Sequence, residues 1–540
     1  MVDDSCISAV RLLANSGGAE VMATAYEKMG VLSGLSNELF QVGGDVISGQ
    51  NVLNLVFQNK PNRTELTLPP GPLKVPIIGS FLWLGGFSFS RFEEILCNLR
   101  HKYGPIITLY MGSKPSIFIT SNTLAHEALI DNGAIFADRP PSFFVPSRLI
   151  NSNHNNISST KYGPLWRLFR RNLTSEILHP SRVKSYAYAR KWVLDILRQR
   201  LRSHVESEES KRVMDHFQYT MFCLLILMCL GEKHDEKVIK EIEDIQRTFL
   251  VNGGRFRVLA LFGKLGKIIF RNRWLELLEM RRRQESVLIP LIRARRERKE
   301  KNPDDFVVSY IDTLFDLQIP EEGGRKLSEE EMVTLCAEFL NGGTDTTSTA
   351  LQWIMANLVK NQEIQERLYS EIEGVVGSGE EMKEDDLQKI PYLKAVVFEG
   401  LRRHPPSHFG VPHAVTEDIV LDGHVIPKKA TVIFLVSEMG WDPKVWKDPM
   451  EFIPERFLGK EEVMDITGNR EIKMIPFGAG RRICPAVGLA IHHLEYFVAN
   501  LIRDFKWTAV EGDDIDLSEK PEFTVVMKNP LRANITPRVK

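Results

Sequence analysis

The sequence predicts a mostly α domain with small β-sheets. Apolar residues recur with a period of 3.6 over six long segments, 91–102, 181–205, 236–249, 275–299, 328–360 and 490–505. Only short runs at 106–111, 116–120 and 431–435 have the composition of strands. The chain has 540 residues, of which 43% are apolar, enough to bury a large core. No window holds the roughly eighteen consecutive apolar residues of a membrane span.

Taken in order, residues 1–65 are rich in Gly, Ser and Asn and carry no clear signal-peptide pattern or membrane anchor. Leu68-Pro69-Pro70-Gly71-Pro72 follows as an extended hinge in which helix is forbidden, so the main domain is placed at 66–540. Trp166-Arg167-Leu168-Phe169-Arg170 lies on a basic amphipathic helix. The run 221–230 is too short to span a bilayer and predicts a buried helix. The basic run 281–301 predicts a solvated helix end. Ser328 and Glu331 form a capping box at the start of the 328–360 helix, with Leu327 placed to staple it. Glu399 and Arg402 share one side of a helix that stops at His404-Pro405-Pro406. His492 and His493 fall on the last long helix and are expected at the surface.

The charge balance is −1, from 69 basic and 70 acidic side chains, so no global field favours nucleic acid. Six cysteines at irregular spacing make no disulfide framework, which points to a reducing compartment. Five of them read as ordinary buried thiols. No H-E-x-x-H or C-x-x-C metal motif occurs.

Cys484 stands apart. Pro476-Phe477-Gly478-Ala479-Gly480-Arg481-Arg482-Ile483-Cys484-Pro485 precedes a long amphipathic helix. Glycines let such a loop fold tightly beneath a flat cofactor. A helix N-terminus just after the cysteine offers free N–H groups and a positive dipole end, which favour a thiolate. Arg482 can reach a carboxylate at the cofactor edge, and Phe477 can shield the sulfur. A dinucleotide turn is excluded because Ile483 occupies the place of a third glycine and no β-α-β unit surrounds the loop.

Within the 328–360 helix lies Gly342-Gly343-Thr344-Asp345-Thr346-Thr347. Two mid-helix glycines cost about 1 kcal/mol each relative to alanine, so they need a reason. Helical spacing places Phe339, Gly342, Gly343 and Thr346 on one face, where small residues would let a flat group approach the helix. Asp345 is suited to relay protons from solvent, and Thr346 to hydrogen-bond the reacting oxygen.

These segments, in this order, resemble the cytochrome P450 superfamily. Phe477, Gly480, Arg482 and Cys484 match its haem-binding signature, with Ala486 where the family has a last glycine. Gly342 to Thr347 match its oxygen-activating motif. The resemblance implies the P450 fold, haem b (iron protoporphyrin IX) ligated through Cys484, and a structural ionic network of Glu399, Arg402 and Arg456. It implies that Trp166, Arg170 and His413 contact the haem propionates. Phe136 to Pro141, Glu338 to Thr344 and His492 to Tyr496 are similar to plant microsomal enzymes of family eighty-nine. Such enzymes insert one oxygen atom from O2 into a small apolar substrate, with electrons from NADPH–cytochrome P450 reductase. The resemblance further implies the endoplasmic reticulum membrane, cytosolic face, where the basic and apolar run 259–270 suits surface contact. The N-x-S/T sites at Asn62, Asn156, Asn172 and Asn534 would then stay unmodified. The substrate pocket is expected within 141–155, Phe339 and 407–411. Two alternatives remain at this point, an O2-independent haem-thiolate isomerase or dehydratase and a non-catalytic haem-binding protein.

Overall fold

The computed structural model describes residues 67–72, 89–111, 114–140, 156–206, 212–256, 259, 263–302, 307–377, 379–459, 464–512 and 514–538, with the backbone of a hairpin pairing Leu39–Val42 with Asp45–Ser48. Apart from that hairpin, the expectation for 1–65 lies outside the described residues. So do the expected pocket segment 141–155 and part of the run 259–270.

The chain divides into two units. The smaller comprises 1–116 with 418–427. Its hinge is held as the prolines require: Pro70 cannot donate, but its carbonyl accepts the N–H of Thr108 at 2.9 Å. A Cβ on Gly71 would meet the Thr108 carbonyl oxygen at 2.0 Å, so glycine permits this approach. The helix Phe89–Tyr103 leads into the strand Ile106–Met111. The strands Ile419–Leu421 and His424–Ile426 pair antiparallel around Asp422 and Gly423, both at positive φ, the conformation a two-residue hairpin demands.

The larger unit, 117–417 with 428–540, is built on two buried helices. Glu329–Lys360 is 32 residues long and starts at the Ser328–Glu331 capping box. Val213–Leu230 buries every residue but Asp215. It is long and apolar enough to cross a membrane, yet its burial marks it as a core helix. The two pack closely because Gly343 has no side chain: a Cβ there would sit 2.7 Å from Leu225 Cδ1. A second close approach joins Gly400, on the Pro391–Arg403 helix, to Ile354 at 2.4 Å from the same imagined atom. The Val487–Asp504 helix also packs on Glu329–Lys360. A short antiparallel pair, His413–Ala414 with Thr431–Phe434, carries His413.

Four expectations are corrected. The segment 181–205 forms two helices, Pro180–Ser185 and Ala187–Glu206, separated at Tyr186, whose hydroxyl is held by the Val308 carbonyl. The basic run is only partly solvated. Arg295 is buried in a bidentate pair with Asp312, and Arg281 is buried against Glu285, Gln284 and Thr334. His492 and His493 are not both on the surface: His493 is buried beside Phe497, and His492 is half-buried on Glu384. Finally, Gly342 and Gly343 serve different sides. Gly343 meets the neighbouring helix, while a Cβ at Gly342 would find no atom within 4 Å.

Candidate functional site

The loop around Cys484 is shaped by two glycines in left-handed conformation, Gly478 at φ +70° and Gly480 at φ +68°. Gly480 is doubly constrained, because a Cβ would lie 2.0 Å from the Leu129 carbonyl oxygen. The loop closes through the Cys484 N–H, which donates to the Phe477 carbonyl at 2.9 Å. Phe477 itself is half-buried against the main core. The Ala486 N–H points at Cys484 Sγ from 3.4 Å, at the start of the Val487–Asp504 helix. Burial pushes the Cys484 thiol up, opposed by that N–H and by the charge of Arg170. Ala486 has φ −100° and ψ 23°, which any residue adopts, so its methyl strains no backbone.

Beside the loop lies a crowded group of buried cations. Arg170, from the Pro164–Glu176 helix, donates to the Ile483 carbonyl at 2.6 Å. Arg482 spends its guanidinium on the carbonyls of Ala137, Ile157 and Thr160 and stacks over the Trp166 ring at 4.5 Å. Arg139 donates to the carbonyls of Ser158, Val411 and Pro412. Among the described residues, none of these three pairs with a carboxylate. The nearby acids are otherwise engaged: Glu338 accepts the N–H groups of Ile157 and Ser158 at 2.8 and 2.7 Å, and Asp138 accepts that of Tyr162. Burial, then Arg482, pushes Arg139 down to about 9, and burial pushes Arg482 down to about 10. The buried Trp166 Nε1–H has no hydrogen-bond partner among the described residues. His413 is buried and donates from Nδ1 to the Phe136 carbonyl at 2.7 Å. Burial and the charge of Arg139 hold it neutral, well below the ordinary histidine range.

On the Glu329–Lys360 helix, the Thr346 hydroxyl donates to the Gly342 carbonyl at 2.8 Å, so it is anchored one turn back on its own helix. Asp345 points elsewhere, accepting from Gln218 Nε2 at 2.9 Å, while Gln218 Oε1 accepts from Arg247. Burial pushes the Asp345 carboxyl up, against the lowering effects of Arg247 and the Gln218 bond. Phe339 is half-buried against Tyr310, with ring centroids 5.1 Å apart.

Glu399, Arg402 and Arg456 meet in one network. Arg402 grips Glu399 through two bonds of 2.7 and 2.8 Å and donates to the carbonyls of Gly440, Pro449 and Glu451. Arg456 and the Ile453 N–H reach Glu399 Oε1 at 3.3 and 2.8 Å. Glu399 and Arg402 are fully buried. The residues not foreseen from sequence are Arg139, Glu338, Gln218 and Arg247. Arg139 and Glu338 lie in segments marked only by family likeness, and Gln218 and Arg247 carry no local pattern.

A family model described as Cytochrome P450 matches residues 69–536. The chain is 51% identical over 492 residues to cytochrome P450 89A9 of Arabidopsis thaliana, covering 88% of this chain and 94% of that protein. It is 30% identical over 484 residues to geraniol 8-hydroxylase of Catharanthus roseus, covering 87% and 94%. A solved zebrafish cytochrome P450 with progesterone superposes with a TM-score of 0.69 at 24% identity, over 82% of this chain and 99% of that one.

Proposed function

Because the chain belongs to the cytochrome P450 family, we propose that Cys484 is the thiolate ligand of its haem iron, that Asp345 relays protons for its reaction and that Thr346 hydrogen-bonds the reacting oxygen. The class itself is plain: the chain is a haem-thiolate monooxygenase, an oxidoreductase that inserts one atom of O2 into an apolar organic substrate with electrons from a redox partner. Activation of dioxygen and transfer of one of its atoms is the chemistry haem b supplies when bound.

The residues present fit that group on three counts. Two buried guanidiniums, Arg139 and Arg482, and the half-buried Arg170 gather with no carboxylate paired to any of them among the described residues, an arrangement suited to the two acidic arms of haem b. The Trp166 N–H is buried with no hydrogen-bond partner among the described residues. Gly342, mid-helix, faces open space among the described residues. Trp166, Arg170 and Arg482 would hold the acidic arms, with His413 at the same edge. Phe477 and Gly480 set the path of the loop around the sulfur.

The chain's own work is then electrostatic. The Ala486 N–H, the helix end behind it and Arg170 all favour a charged sulfur at Cys484. Asp345 holds a proton more tightly than an ordinary aspartate, so near neutral pH it takes one from the solvent side more often. Thr346, anchored through its hydroxyl hydrogen, keeps its oxygen lone pairs towards the open turn. Glu399, Arg402 and Arg456 hold the scaffold. The electron donor is NADPH–cytochrome P450 reductase, the setting is the cytosolic face of the endoplasmic reticulum, and the domain carrying this chemistry is 66–540.

The observation that carries this reading is the half-buried Cys484 sulfur, at a helix start under an N–H donor and near the charge of Arg170. Cys484→Ser should abolish both the thiolate-type carbon monoxide difference band of reduced protein and all product formation. Survival of both would refute it.

A further inference from the structure

Asp345 is half-buried, and on one side it is linked to a charged cleft through two other side chains whose order is informative. A cleft of about 530 Å³ is lined by Arg200, Asp215, Lys240, Glu243, Asp244 and Arg247, together with Gln218. Asp345 does not line it and lies one hydrogen bond behind Gln218. The amide orientation is forced, since only Nε2 can donate to the carboxylate and only Oε1 can accept from the guanidinium. An amide carries no proton to give at neutral pH, so this chain is no proton wire. Its effect is geometric: it keeps a cation from closing on an anion buried in the same place.

We propose that Gln218 is a positioning residue, a neutral spacer that holds the Arg247 guanidinium one amide away from Asp345 and so leaves the carboxyl free to bind and release a proton. This rests on the reading of Asp345 as a proton donor and names the device that keeps it usable. Direct pairing with arginine at hydrogen-bond distance holds a carboxyl ionised, lowering its titration by about one to three units. A carboxylate locked in that state has no proton to deliver. The other charges bearing on Asp345 are few. Arg247 favours its ionised form and Glu522 opposes it, while Asp345 in turn raises Glu243 across the cleft. With Gln218 shortened, Arg247, the cation already bonded to that side chain, is the one placed to move in.

The proposal fixes a sign that an ordinary hydrogen bond would reverse. Loss of a plain donor from Gln218 would raise the midpoint of Asp345, because a bond favouring the charged form is gone. Loss of a spacer lowers it, because Arg247 closes in. Infrared difference titration of the full haem-loaded chain reads this directly, with the protonated-carboxyl band assigned by its absence in Asp345→Asn. The carbon monoxide band reports that each variant is folded. Gln218→Ala should lower the midpoint by about one unit or more. Arg247→Met should raise it, and Gln218→Ala combined with Arg247→Met should raise it too. A midpoint that rises or stays put in Gln218→Ala overturns the spacer role. Reductase-supported NADPH oxidation in Asp345→Asn tests the underlying reading separately. An unchanged rate there would remove the proton-delivery role of Asp345, whatever the titration says of Gln218.

Discussion

Two clusters of buried arginine sit in the larger unit, and they are finished differently. Around Arg402 every guanidinium nitrogen has a partner, and Glu399 supplies a paired negative charge. Around Arg482 the hydrogen bonds are also made, but to neutral carbonyls, while Glu338 and Asp138 are turned to backbone N–H groups. The first cluster has a direct ion pair built into the core. The second keeps a surplus of positive charge, which is costly alone and favourable once an acidic ligand arrives. Hydrogen-bond satisfaction and direct ion pairing are thus separate properties, and the two clusters differ in the second.

The comparison can be broken most severely at Arg402. Arg402→Met strands Glu399 in the core and should cost about 3–5 kcal/mol, read as a lowered denaturation midpoint. Retention of full stability would mean the network is not a closed unit. The open cluster should respond in the opposite sense. Arg170→Met removes one bond, to Ile483, so the haem-free fold should change by no more than about 1.5 kcal/mol, while haem retention falls about tenfold, measured as bound haem per chain after gel filtration.

An intermediate case is Glu384, held between Arg190 and His492. Burial pushes its carboxyl up, but the bonds from His492 and Arg190 outweigh this and bring it down to about 2. Its folded value is below the ordinary 4.5, so its stabilising contribution is whole above that pH and is lost as pH falls from about 4.5 towards 2. Glu384→Gln should be less stable at neutral pH and should lack that part of the acid limb in a pH series of unfolding midpoints. The smallest effect belongs to Ala486→Gly. With an unstrained backbone at Ala486, stability should shift by less than about 1 kcal/mol and bound haem should not change.

The closed parts of the molecule were the more legible in sequence. The Ser328–Glu331 box, the Pro-rich hinge and the helical periods are local, so chain order alone locates them. The Cys484 loop is legible for the same reason, since its glycines and cysteine act within ten residues. What escaped is long-range. Glu338 caps N–H groups about 180 residues earlier. Gln218 meets Asp345 across 127 residues. His493 looked like a surface residue because a helical histidine pair carries no mark of which member faces inward, and only packing against Phe497 decides it. The same limit applied to the two glycines: periodicity placed them near one another but did not reveal that Leu225 claims Gly343 while Gly342 meets nothing.

That division of labour at adjacent glycines has a practical bearing on redesign. Enlarging Gly343 or Gly400 would wedge apart helices already in contact, so libraries meant to change which compounds are accepted should leave both alone. At Gly342 a single added methyl would meet no other atom of the described residues, so its effect would fall on whatever occupies that space and not on the packing of the two helices.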